Sequence, residues 1–452
     1  MTTTTSLREA DRLHHLHPYT DAATLGGENG THVIVRGEGV WLTDDRGRRL
    51  LDGLAGLWCV NVGYGCERIV RAVAEQMRQL PFYPSFFNTT TEPTARLAER
   101  LAAIAPKPLT ATIFSGSGSE ANETALKIIR RYQKLRGRPE KTKIVTRRLS
   151  YHGVTLATTS MTGLAACQDP FDLPLPGFLQ APAPWPYGAG SDLAPEAFGR
   201  QCIEETRALL LREDPRTIAA IFVEPLQGAG GVLVPPDGHL PALRELAREH
   251  DVLFVADEVI TGFGRLGEWF ASGELHHLEP DLMTLAKGIT SGYVPLGATM
   301  VSQQVADVLR RGGTFSHGHT YSGHPVATAA ALANLDVIEE DGLLAHVRDE
   351  VGPALEQGLR ALGEHPAVAE VRACRAIGAL ELVRPPGVGP EQVASLGARA
   401  CALVREEGAI VRGMRDAIGV SPPLVISRSE IDVLLGAIRR GLDRFHAELG
   451  SR

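Results

Sequence analysis

Apolar runs of strand length recur through the middle of the chain, each separated from the next by a stretch with helical periodicity. Residues 111–114, 143–146, 218–223, 252–257 and 281–287 are the clearest runs. Between them, segments such as 121–132 put Leu126 and Ile129 on one helical face. This alternation from about residue 70 to 325 predicts an α/β fold around a mostly parallel sheet. Residues 33–58 alternate instead, around the turn Asp44-Asp45-Arg46-Gly47, as a hairpin of a smaller domain does. Beyond Val326 the pattern predicts a helix at 327–339, strands within 368–382, and helices at 390–407 and 428–449. The predicted organisation is a large domain over 66–326, with a small α+β domain formed jointly by 1–65 and 327–452. Proline clusters at 174–176 and 181–186 read as a long excursion near the site mouth, not as a domain boundary. No internal repeat is visible.

Composition narrows the function classes. A chain of 452 residues is long enough for two or three domains and a large core. A net charge of −7 argues against a nucleic-acid surface. No apolar run approaches the ~18–20 residues of a membrane span. The first six residues lack the basic head and apolar core of a signal peptide. Cys59, Cys66, Cys167, Cys202, Cys374 and Cys401 are scattered without a CxxC pair, as free thiols of a cytoplasmic protein are. His14, His15 and His17 read as the polar face of an N-terminal helix, and no metal site is expected.

Two of the runs end in groups with chemistry. Asp257 closes one strand-like run, and Lys287 closes another about 30 residues later, the length of one strand–crossover–strand unit. A carboxylate and a lysine at neighbouring strand ends suit pyridoxal phosphate. The lysine would form a Schiff base and the aspartate would keep the pyridinium nitrogen protonated. A buried Asp–Lys ion pair, or two unrelated charges, fits the pair equally well. Ser115-Gly116-Ser117-Gly118-Ser119-Glu120-Ala121-Asn122 lies between a strand and a helix, where backbone N–H groups and the helix dipole attract an anion. The same glycines fit a dinucleotide fingerprint, with Glu140 near the position of the ribose-binding acid, although its basic surroundings suit that role poorly. Tyr151-His152-Gly153 follows a strand and could stack an aromatic on a flat ring. Glu224 and Gln227 follow another.

Taken together, Ser117-to-Asn122, Tyr151-His152-Gly153, Glu224-to-Gly231, Ala256-to-Phe270, Asp281-to-Ala298 and His317-to-Pro325 resemble the class III aminotransferases. These are pyridoxal-phosphate enzymes of fold type I. The resemblance runs from about Val33 to Phe445 with the motifs in order. Gly56-to-Gly65, Leu80-to-Phe87, Ile410-to-Arg412 and Ser421-to-Leu424 look closest to the amine– and ω-amino acid–pyruvate members.

The resemblance implies roles by position. Lys287 would carry the cofactor and shuttle the proton, with Asp257 at the ring nitrogen. Ser117, Gly118 and Ser119 would hold the phosphate. Tyr151 would stack on the ring, Val259 would cover its other face, and Gln227 would lie near the 3′-oxygen. His152 and Glu224 would support the cofactor from behind. Thr320 would reach the phosphate in a neighbouring subunit, so that a homodimer, or a tetramer built from it, shares its sites. Trp58, Phe86, Phe87 and Tyr151 would line the substrate pocket, and Arg412 would take a carboxylate. Read without the family, Arg412 is a surface charge in a stretch with Arg405 and Arg415, and Arg415 competes for the carboxylate. The loop between Leu382 and Gln392 is short against the family pattern. The expected reaction is ping-pong transamination from an amine or ω-amino acid to a keto acid, most simply pyruvate. Aminomutase, racemase or decarboxylase chemistry on the same fold, or a nicotinamide-dependent oxidoreductase, are the alternatives.

Overall fold

The structure, a computed structural model, describes residues 6–25, 30–384 and 390–450. Residues 1–5 of the expected unspecialised start, and 385–389 of the loop expected to be short, lie outside these. The N-terminal alternation folds as a three-strand meander: β1 (Ile34–Glu38), β2 (Trp41–Asp44) and β3 (Arg49–Asp52). Asp44 builds its turn, accepting backbone N–H bonds from Arg46 and Arg48 at 3.0 and 2.8 Å.

The central runs become β4 (Leu109–Ser115), β5 (Lys143–Arg147), β6 (Phe178–Ala181), β7 (Ile218–Val223), β8 (Leu253–Asp257), β9 (Leu282–Leu285) and β10 (Gly297–Ser302). They form one seven-stranded sheet in the order β4-β10-β9-β8-β7-β5-β6. From β9 to β6 all neighbours are parallel. Every residue of β7 and β8 is buried, as strands covered on both faces must be. β10 runs antiparallel to both of its neighbours. The link from β9 to β10 is too short for the dozen or more residues a parallel crossover needs, so the chain turns straight back. Between the two proline clusters lies β6, an edge strand of this sheet, so that segment is not simply an excursion.

Helix α1 (Gly118–Leu135) leaves β4 and packs Leu126 and Ile129 into the sheet. Helix α2 (Pro325–Glu340) leads into the C-terminal part, where β11 (Val368–Cys374), β12 (Ile377–Leu382), β13 (Ala409–Ile410), β14 (Arg412–Met414) and β15 (Ala417–Val420) follow. Four of these make an antiparallel sheet in the order β11-β12-β15-β14. The short β13 instead joins β3 in parallel, with Ala409 opposite Leu51 and Ile410 opposite Asp52. Leu51, Ala409 and Ile418 share one core with α3 (Pro390–Glu406) and α4 (Arg428–Gly450), to which α4 gives Leu434, Ile438 and Phe445. Each such buried side chain contributes roughly 1.5–3 kcal/mol. The N-terminal meander and these C-terminal elements therefore share one core.

Candidate active site

Four parallel strands end on the same edge of the large sheet, and the chemistry sits there. Asp257 is the last residue of β8, and Lys287 follows β9. Glu224 directly follows β7, and Tyr151 comes shortly after β5. Because β8 and β9 are hydrogen-bonded neighbours, with Asp257 opposite Thr284, the two strand ends are held side by side. This is where open parallel sheets bind ligands. Lys287 adopts a left-handed backbone, φ 47°, which costs a non-glycine residue about 1–2 kcal/mol.

The buried Asp–Lys ion pair left open by the sequence does not form. Asp257 pairs with His152 instead, its Oδ2 lying 2.7 Å from His152 Nδ1. Asn122 Nδ2 donates to the same oxygen at 2.9 Å, and the Val259 N–H donates to Oδ1 at 3.1 Å. These three contacts fix the carboxylate in direction. Lys287 makes no hydrogen bond. Burial pulls its pKa below the ordinary lysine value, against the opposing pull of Asp257. The direction of that shift favours the neutral amine, the form a nucleophile or proton carrier requires.

Helix α1 points its N-terminus into the same cavity through Gly118 and Ser119. A Cβ at Gly118 would sit 3.1 Å from a Val259 methyl, so glycine lets the helix end close onto the β8 end. The Ser117 hydroxyl accepts the Glu120 N–H at 3.2 Å as the helix cap, and Ser117 is not among the cavity's lining residues. Glu224 is buried, and burial raises its pKa. Its oxygens accept the Tyr151 and Gly228 N–H groups at 2.9 and 3.0 Å, which fixes the Tyr151 backbone.

The cavity measures about 820 Å³ and runs from this strand edge to α3 and the β13–β14 segment. Trp58, Tyr151, His152, Val259 and Arg412 line it with Asp257 and Lys287. The Arg412 guanidinium lies 4.5 Å over the Trp58 ring and makes no hydrogen bond. Arg415 is turned elsewhere, bonded to the Gly230 carbonyl at 3.1 Å and stacked over Trp185, so it does not compete in this cavity. Gln227 is buried and donates to the Arg148 carbonyl at 2.8 Å, outside the lining set. Phe86, Phe87 and Thr320 also lie outside it, with Phe87 92 % exposed. Two contributors carried no signal of their own in the sequence: Asn122, which orients Asp257, and Tyr19, whose hydroxyl lies 3.4 Å from that of Tyr151.

The dinucleotide arrangement fails on topology. The strand before the glycine turn, β4, pairs only with the antiparallel β10, so no parallel strand–helix–strand unit opens there, and Glu140 is exposed in a turn. At the N-terminus, His15 and His17 lie beyond the helix Leu7–His14 rather than on its face. Each imidazole meets one oxygen of Asp11, at 3.0 and 2.8 Å.

Residues 25–442 match the family model for aminotransferase class III. The chain belongs to the class III aminotransferases. A putrescine–pyruvate aminotransferase of Pseudomonas aeruginosa is 44% identical over 96% of this chain and 95% of its own length. A diaminobutyrate–2-oxoglutarate transaminase of Halomonas elongata is 37% identical over 98% and 97%. Among solved structures, an (S)-enantioselective ω-transaminase from Thermomicrobium roseum has a TM-score of 0.93 at 44% identity, covering 97% of this chain and 98% of that one. The ω-transaminase of Pseudomonas jessenii in complex with PMP has a TM-score of 0.93 at 39% identity, covering 98% and 99%.

The fold is thus that of fold type I, and the enzyme transfers amino groups with pyridoxal phosphate. The residues fit that cofactor on their own evidence: an anchored carboxylate, a free amine and a helix N-terminus share one cavity. No helix among the described residues is long and apolar enough to cross a membrane.

Proposed function

We propose that this aminotransferase moves the amino group of a primary amine or ω-amino acid to pyruvate in a ping-pong cycle. The observation that carries the reading is Arg412, a cavity-lining guanidinium with no hydrogen bond or ion pair, resting on the Trp58 face. A planar fork of this kind can grip the carboxylate of a keto acid and then swing aside for a donor that lacks one. The 44% identity to a putrescine–pyruvate enzyme supports the same acceptor.

Pyridoxal phosphate, when bound, supplies an electron sink for the charge left on the substrate carbon after deprotonation. The chain's residues do the rest. Gly118 and Ser119 would hold the phosphate at the α1 N-terminus, and Tyr151 and Val259 would flank the ring. Asp257, fixed by His152 and Asn122, would keep a proton on the ring nitrogen. Lys287 Nζ would take the proton from the amine-bearing carbon of the donor and pass it on to the cofactor within the same half-reaction, and it would run the same transfer in reverse for the keto acid. The enzyme works as a homodimer in the cytoplasm, a reading supported by exposed Phe82, Tyr83, Phe87 and Tyr321 and by six free cysteines.

Incubation with primary amines and pyruvate is expected to give alanine and the matching carbonyl product. Lys287→Ala is expected to abolish both while leaving the circular dichroism spectrum intact. Glutamate from 2-oxoglutarate without alanine from pyruvate would overturn the acceptor assignment.

A further inference from the structure

The small-domain wall of the cavity carries a second guanidinium. Ala398, Cys401, Ala402 and Arg405 of α3 line the cavity, and their three- and four-residue spacing sets them on one helix face. Arg405 is half-buried at the end of that face. Like that of Arg412, its guanidinium has no hydrogen bond or ion pair; unlike Arg412, which rests on Trp58, it stacks on no aromatic ring. That sets it apart from its neighbours. On the same helix Arg399 pairs with Glu448, and nearby Arg384 pairs with Asp416. Burial lowers its pKa, Cys401 acts to raise it, and the neighbouring cation Arg48 acts to lower it further.

The cavity offers it no partner. Its lining carboxylates are Glu224 and Asp257, and both are taken up by donors at the sheet edge. A partly desolvated guanidinium without a counter-ion costs free energy unless a ligand supplies one. A monocarboxylic keto acid occupies only one arginine. The other is left for a carboxylate at the far end of a longer substrate.

We infer that Arg405 forms a second carboxylate subsite in this cavity, so that the preferred donors carry a carboxylate remote from the reacting amine. The inference rests on the transamination proposed above and specifies its donor class. A diamine, which would bring a second ammonium against Arg405 and Arg412, is the wrong charge for this wall. The relative that acts on putrescine therefore does not fix the donor of this chain.

Three donors with the same number of carbons separate the possibilities: 4-aminobutanoate, 1,4-diaminobutane and butylamine, each with pyruvate. The wild-type enzyme is expected to favour 4-aminobutanoate over 1,4-diaminobutane by at least tenfold in kcat/KM. Arg405→Gln should reduce the ratio of kcat/KM for 4-aminobutanoate over butylamine at least tenfold, mostly through KM. Arg405→Lys, which keeps the charge, should retain a preference for 4-aminobutanoate over the diamine. Binding read by calorimetry gives a second measure: glutarate should bind at least tenfold more tightly than butyrate, and Arg405→Gln should remove the difference. A wild-type preference for the diamine overturns the inference. So does an Arg405→Gln enzyme with unchanged donor ratios and unchanged glutarate affinity. Absence of alanine from pyruvate with all three donors would instead sink the proposed reaction, with glutarate binding still reporting on Arg405.

Discussion

Asp257 shows how much of an active site lies in what holds a residue. Its carboxylate accepts from His152, Asn122 and the Val259 N–H, so both oxygens are oriented before any ligand arrives. Asp257→Asn removes the charge and also sets an amide donor against the His152 and Asn122 donors. The single-turnover rate of the amine half-reaction is expected to fall more than tenfold. A rate within about threefold of wild type, roughly 0.7 kcal/mol, would remove Asp257 as the ring partner. Arg412 divides the cycle differently. Losing a bidentate carboxylate contact in a half-buried site costs about 2–4 kcal/mol. Arg412→Ala should therefore raise the KM for pyruvate at least tenfold, with a much smaller effect on a half-reaction driven by butylamine. Equal losses in both halves would mean that the residue only packs on Trp58.

At the level of elements, the buried start of a sheet-covering helix makes stability depend on pH. His239 begins the helix His239–Glu249, is 5% exposed and lies 3.2 Å from the Gly199 carbonyl through Nδ1. Burial first, and Arg147 second, lower its pKa from 6.5 to about 4. Below pH 6.5 the unfolded chain therefore binds a proton that the folded chain refuses. Folding stability is lost as pH falls from about 6.5 towards 4, by an amount on the order of 1–3 kcal/mol for this one group. Urea midpoints at pH 7 and pH 5 should show a smaller drop for His239→Gln than for wild type. An identical drop in both would mean that the imidazole is not held neutral.

On the scale of the whole molecule, the aromatic residues around Leu80–Phe87 raise the question of a partner. Phe82 and Tyr321 rings meet at 5.8 Å on the surface, and Phe86 and Phe87 meet at 5.8 Å beside them. Tyr321 is 65% exposed and Phe87 92%. Apolar patches of this kind mark interaction sites, and Phe86, Phe87 and Thr320 fit the proposed sites shared across a dimer. Light scattering at micromolar concentration should therefore give twice the mass of 48.5 kDa. Phe87→Asp should shift it towards the monomer and lower turnover. A variant that stays dimeric and fully active would place the interface elsewhere.

The parallel sheet was legible because continuous apolar runs alternating with amphipathic stretches admit few other packings. The family, and with it the lysine chemistry, was legible because its motifs are local and occur in order. Local sequence could not say that β10 reverses, since its direction depends on how short a link must close. Nor could it say that Ile410 would pair with Asp52, a contact between distant parts of the chain. The same holds at the site. The sequence offered Arg405, Arg412 and Arg415 as three similar charges. Only the tertiary structure gave Arg415 to the Gly230 carbonyl and left the guanidinium groups of Arg405 and Arg412 without a hydrogen-bond or ion-pair partner in the cavity. A side chain's charge is a property of the residue, but its freedom to bind a ligand depends on what else has folded around it.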